Sequence, residues 1–292
     1  MNNEREELLK KLEEIKHNDY KEDDKKVIKE TTDLMLKYIG DTDPHLRDEL
    51  IYSTFCYWIT EKCYFNSEEL KEILNVILDK NHLFYKIGSE KEDSVVTRTF
   101  SMLVIDLLLY MNMQKQYLSL EEFNNLKDCV IRYYNEEKDL RGYEERIGWM
   151  HAAAHGADVL CSIVRSKQCD KETMLKVLDG LNHVLENTKY LLSHEEDERM
   201  ATVVYEVVIR NVLGREKVCQ WISRLGSVIT PGYSDEKYIQ RVNTKNFVRS
   251  LYFRLIREDN TTEYTDVLFK KEEELNNFLK YNKEIEEELE IL

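Results

Sequence analysis

Only nine glycines and two prolines punctuate these 292 residues, and that shortage constrains the fold more than any motif does. Together they make roughly 4% of the chain, against about 12% in average proteins. A β-sandwich or barrel needs turn formers at every hairpin, and phosphate-cradling loops need glycines whose backbone can approach the anion. Neither supply is present. Helices need few breakers, and 42% hydrophobic with 34% charged residues suits helices that are apolar on one face and charged on the other.

The helix starts are marked. Asp43-Pro44 places a capping carboxylate before a first-turn proline, and Asn66-Ser67-Glu68-Glu69 opens Leu70, Ile73, Leu74 and Ile77. Ser119 to Glu122 reads as a capping box with Leu118 stapled against Phe123, and Ser193 to Glu196 reads as a second box. Asp170 and Ser234 open two further helices. No stretch alternates long enough to predict a strand. The expectation is an all-α chain of about twelve helices, each roughly 12 to 20 residues, stacked as antiparallel pairs in a HEAT-like α-solenoid. Residues 1–260 read as a single helical domain, with Ser94 to Tyr110, apolar nearly all round, in its middle. Residues 261–292 read as an acidic C-terminal helix or tail, with Leu275, Phe278, Leu279, Ile285 and Leu289 at helical spacing.

Charge narrows the partners. With 57 acidic against 42 basic residues the formal net charge is −15, and no basic block interrupts it, so no nucleic-acid partner is expected. No membrane partner is expected either. The most apolar stretch, Met102 to Tyr110, is broken by Asp106 and falls far short of the ~20 residues a span requires. The N-terminus has no basic start followed by an apolar run, and the six cysteines form no CxxC pair, which reads as a cytosolic protein with reduced thiols.

The most pointed run is Gly148-Trp149-Met150-His151-Ala152-Ala153-Ala154-His155-Gly156-Ala157-Asp158. On one continuous helix, His151, His155 and Asp158 share a narrow stripe that Ser162 and Arg165 extend. Two imidazoles and a carboxylate so spaced suit either a divalent metal or a His–carboxylate pair for proton transfer. A metalloprotease glutamate in an HExxH arrangement is missing. Four other polar runs accompany it: His194 to Arg199, in which Arg199 is expected to turn inward; Arg98 to Ser101; Asp43 to Asp48 with Tyr52; and Glu137 to Tyr143. Taken singly, each of these four reads more simply as a structural ion pair or a cap.

Together these runs resemble an uncharacterised bacterial family, a domain of unknown function. Its Gly-Trp-Ala-His-x-x-x-His-Gly-Ala-Asp signature is matched from Gly148 to Asp158, with Met150 in place of Ala. Its Asp-Pro-x-Leu-Arg-Asp run falls at Asp43 to Asp48, its Asp-Ser-Val-x-x-Arg-Ser/Thr-Phe-Ser run at Asp93 to Ser101, its Glu-Lys-Asp-Leu-Arg-Gly-Tyr run at Glu137 to Tyr143 and its Glu-Asp-Glu-Arg run at Glu196 to Arg199. The resemblance extends from about Tyr38 to Arg254; it implies an all-helical, HEAT-like fold and leaves the activity open. Two functions stay open. In one, His151, His155 and Asp158 bind a metal or act as acid and base, possible hydrolysis included. Arg98, Arg141, Glu198 and Arg199, with Trp149, Tyr143 and Asp48 beside them, then hold a small anionic ligand on a concave face. In the other, the helices are a scaffold for a protein partner and the polar runs are internal ion pairs.

Overall fold

A computed structural model describes residues 3–279, and over them the chain is all-α apart from one two-stranded hairpin. It divides into two compact units at Gln168/Cys169.

The first unit begins with α1 (Asn3–His17) and α2 (Lys25–Lys37). A continuous helical segment follows, in which α3 (Ser53–Cys56) is flanked by π-helical turns at His45–Tyr52 and Tyr57–Glu61. Asp43 enters it by accepting from the His45 amide at 3.0 Å. Then come α4 (Ser67–Ile77), α5 (Ser94–Gln114), α6 (Leu120–Glu136), a hairpin of β1 (Tyr143–Glu144) and β2 (Gly148–Trp149), and α7 (Ala152–Arg165). Asn66 and Ser119 form complete capping boxes, as their sequences specify. The core is laid around α5, which packs along α7 and meets α4 and the His45–Tyr52 turn. Phe100, Val104, Ile105 and Leu108 of α5 are buried. At 21 residues α5 is long and apolar enough to cross a membrane, longer than the Met102–Tyr110 stretch suggests, but most of it is covered by the protein itself.

The second unit holds α8 (Lys171–Leu185), α9 (Glu196–Arg210), α10 (Arg215–Arg224), α11 (Asp235–Leu255) and α12 (Thr262–Leu275). Asp170 and Ser234 cap α8 and α11 with their side chains. α11 packs on α9 and α12, and α10 on α12. The capping box expected at Ser193 does not form. Glu195 adopts a left-handed conformation at φ 63°, α9 starts after it, and the buried Glu196 carboxylate accepts from the His194 amide at 2.7 Å. Of the apolar residues of the acidic segment, Leu275 is buried in α12 while Phe278 and Leu279 are exposed. Ile285 and Leu289 lie outside the described residues.

Candidate functional site

The expected histidine helix begins later than its sequence suggests. Gly148 and Trp149 pair with Glu144 and Tyr143 in the hairpin, and only Ala152 starts α7. Gly148 sits at φ 72°, and a Cβ there would stand 3.0 Å from Pro44 Cβ and 3.5 Å from an Arg47 nitrogen, so this strand needs glycine both for conformation and for close approach. His151 is therefore the N-cap of α7 in a left-handed conformation at φ 50°, not a member of a helical stripe. Such a conformation is unfavourable for a non-glycine residue and is held here by its surroundings. The His151 amide donates to the Arg141 carbonyl at 3.2 Å, and the His151 carbonyl accepts the first helical bond from His155 at 2.9 Å.

The consequence is a file of rings running inward from the hairpin. Tyr143 and Trp149, both exposed, have ring centroids 5.0 Å apart. Trp149 stacks on His151 at 4.5 Å, His151 meets His155 edge-on at 5.6 Å, and His155 meets Phe100 edge-on at 6.0 Å. Phe100 in turn meets Tyr52 edge-on at 6.4 Å. His155 is buried, and His151 is half-buried.

Carboxylates gather at the Tyr52 end of this file. Burial pushes the Tyr52 hydroxyl pKa well up, and the charges of Asp106, Asp158 and Asp48 push in the same direction, as does Cys56. Asp48 is itself raised, by burial first and then by Glu49 against the opposing pull of Arg47. Asp106 accepts from the Ser162 hydroxyl at 2.5 Å, which ties the carboxylate of α5 to the polar side of α7. This is where the π-helical turn, α5 and α7 converge. An inserted π-turn re-aims side chains on the helix that carries it, a device common at functional sites.

The arginines are committed elsewhere. Arg98, fully buried, forms a bidentate pair with Glu137 (Nε–Oε2 2.6 Å, Nη2–Oε1 2.8 Å) and donates to the Tyr85 carbonyl at 2.9 Å. Burial pulls its pKa down, and the Glu137 pair more than restores it. Arg141 forms a second bidentate pair with the buried Asp139 (2.8 and 2.6 Å) and reaches Glu144 at 2.7 Å; the Asp139 bonds hold its pKa above the usual arginine range. Both bind the chain that leads into the hairpin. Glu198 pairs with Arg254 at 2.7 Å in the second unit, and Arg199 is exposed instead of turning inward. The first unit therefore strings Tyr143, Trp149, His151 and His155 along one file, Asp48 and Asp158 act on Tyr52 at its far end, and Arg98 and Arg141 act as pins.

Sequence reasoning did not select Arg47, Phe100 or Asp106. Arg47 has no surface exposure, lies 4.5 Å over the Phe100 ring, and donates to the carbonyls of Asp41 at 2.7 Å and Ile147 at 2.5 Å. Its Nε has no acceptor. Its signal was available: a cation between Leu46 and Leu50, both core residues. Asp106 carried the same signal in the middle of an apolar helix. Among the described residues no three His, Cys, Asp or Glu side chains stand together as metal ligands, so His151, His155 and Asp158 are not arranged as a three-ligand metal centre.

Fold and geometry define an all-α protein in which a file of rings runs inward from a hairpin to Tyr52. The chain belongs to the family described as "Protein of unknown function (DUF2785)", whose family model matches residues 83–253, more than half of the sequence. The Asp43 to Asp48 run lies ahead of the matched span. No curated protein and no solved structure matches the chain.

Proposed function

We propose that the first unit binds a small, positively charged organic ligand, an amine or amidine, at Tyr52, with the protein working in the cytosol. The observation that carries this reading is that Ser162 ties Asp106 to α7 where α5 and the π-helical turn meet, so that Asp106, Asp158 and Asp48 all raise the pKa of the half-buried Tyr52 hydroxyl, while Arg98 and Arg141 are held by Glu137 and Asp139. An anionic ligand would meet like charge from these carboxylates, with Arg47 the opposing cation beside Asp48, whereas a cation gains from each carboxylate in a partly desolvated setting. The aromatic faces of Trp149 and Tyr143 add a second attraction for a cation at the exposed end. The six cysteines stand as free thiols, in keeping with a reducing compartment.

The test is a thermal-shift titration of the full chain with mono- and diamines, guanidinium compounds, divalent cations and carboxylic acids. Cationic organic ligands should raise Tm in proportion to the logarithm of their concentration, and Asp158→Asn and Tyr52→Phe should each reduce the rise. Stabilisation by the carboxylic acids alone would reject the reading. One feature favours the scaffold reading instead: Arg98–Glu137 and Arg141–Asp139 are internal pins, as that reading requires. Capture of a protein partner that is insensitive to Asp158→Asn would decide for it.

A further inference from the structure

A cavity of about 560 Å³ in the second unit lies between the turn that precedes α11, the first turns of α11 and the end of α12. Such a volume suits a small metabolite. Its charged lining is Lys237, Arg241, Lys271 and Glu274. Lys271 and Glu274 pair with each other at 2.6 Å. That leaves two cations whose bonds, among the described residues, go only to backbone carbonyls: Lys237 Nζ donates to Pro231 at 2.9 Å, and Arg241 Nη1 to Leu275 at 3.3 Å. The Arg241 guanidinium also lies 5.6 Å from the Tyr238 ring centroid, and that ring lines the same cavity.

The wider pattern on α11 is unusual for a chain of net charge −15. Lys237, Arg241, Lys245 and Arg249 follow one another at four-residue spacing, so like charges are neighbours on the helix surface three times in succession. Like-charge pairs at that spacing work against the helix. At Lys245 burial pushes the pKa down first, and the charges of Arg249 and Arg241 push it the same way. At the far end Arg249 is neutralised by Glu272 at 2.5 Å. Among the described residues the ridge's unpaired charge thus lies at Lys237 and Arg241, at the cavity, and at the half-buried Lys245 beyond them.

We infer that this cavity is a binding site for a small phosphate-bearing molecule, with Lys237 and Arg241 holding the phosphate oxygens and the Tyr238 ring lying beside the remainder of the ligand. Two open cations match the double negative charge of a phosphomonoester, and a guanidinium presents the paired donors that phosphate oxygens accept. A long polyanion fits less well, because the ridge beyond the cavity is half-buried at Lys245 and already paired at Arg249.

The experiment is calorimetric titration of the full chain at low ionic strength with inorganic phosphate, glycerol 3-phosphate and glycerol. Phosphate and glycerol 3-phosphate should bind saturably at one site, and glycerol should not. Lys237→Gln and Arg241→Gln should each weaken binding by about tenfold or more, because each removes a charge-assisted contact. Arg249→Gln, on the same ridge but away from the cavity, should leave the affinity unchanged. Circular dichroism melts of the three variants establish that each is folded. Absence of saturable heat from wild type up to about 20 mM phosphate would overturn the inference, since that concentration lies above the millimolar Kd of a weak but specific site. So would an equal loss in Arg249→Gln, which would assign any attraction to the general field of the helix.

Discussion

Removing the Arg98 guanidinium is the most demanding test of how the first unit is held together. Its two nitrogens facing Glu137 make charge-assisted bonds of 2.6 and 2.8 Å, with both side chains out of solvent. Arg98→Ala removes both, along with the bonds to the Tyr85 carbonyl and the Ser94 hydroxyl. Glu137 keeps only the amides of Lys138 and Asp139 as donors. A carboxylate so stranded costs about 3–5 kcal/mol, more than the pair itself is worth, because charge remains buried after its partner has gone. At about 2–4 °C per kcal/mol for a domain of this size, Tm should fall by roughly 6–20 °C. Urea unfolding followed by tryptophan fluorescence measures the loss directly. The double variant Arg98→Met/Glu137→Gln should recover at least half of it, since both charges then leave the interior. An Arg98→Ala loss below about 1 kcal/mol would refute the reasoning, because surface ion pairs alone account for that much.

Two further outcomes follow from the same unit. Gly156→Ala places a Cβ 2.5 Å from Tyr134 Cδ2, and Tyr134 is a buried ring whose hydroxyl is fixed on the Ala153 carbonyl at 3.3 Å. The overpacking cost of about 1–3 kcal/mol should exceed the helix-propensity gain of up to about 1 kcal/mol, giving a net fall in urea midpoint; a rise would show that the α6–α7 contact yields freely. Asp48 is raised by burial in the folded state, so its contribution favours folding below the unfolded carboxyl pKa of about 3.9 and is lost as pH rises through the folded value. Asp48→Asn should therefore stabilise the protein at pH 7, and the gain should shrink toward zero near pH 3; a gain that does not depend on pH would remove the burial argument.

Helix identity was legible wherever a local signal closes locally. Asn66, Ser119, Asp170 and Ser234 cap the helices that their sequences announce, because a cap needs only its own next three residues. The Ser193 box failed because Glu196 is drawn into the interior and Glu195 turns left-handed, a tertiary demand that outweighs the cap. The hairpin was invisible because two residues per strand are too few to alternate. The π-turns at His45–Tyr52 and Tyr57–Glu61 have no sequence period of their own to read.

The site was legible in part for a reason that concerns charge rather than motif. Polar residues on apolar helices must find partners, and two kinds emerge here. Arg98 and Arg141 find carboxylates close in the fold, so they are satisfied by folding alone and need no ligand. Asp48, Asp106 and Asp158 come from three separate segments and push the pKa of the same hydroxyl in one direction. Folding supplies partners here as well, since Asp106 accepts from Ser162 and Asp48 feels the charge of Arg47. An opposite charge arriving from outside gains too, and by more than it would in open water. The sequence places Asp48, Tyr52 and Asp158 in polar runs, whereas Asp106, the lone carboxylate of an apolar helix, is tied to α7 by its bond from Ser162, which only the fold brings about. The cationic ligand proposed above therefore rests on the packing of three segments, whereas the anionic ligand expected from the arginines rests on segments read one at a time.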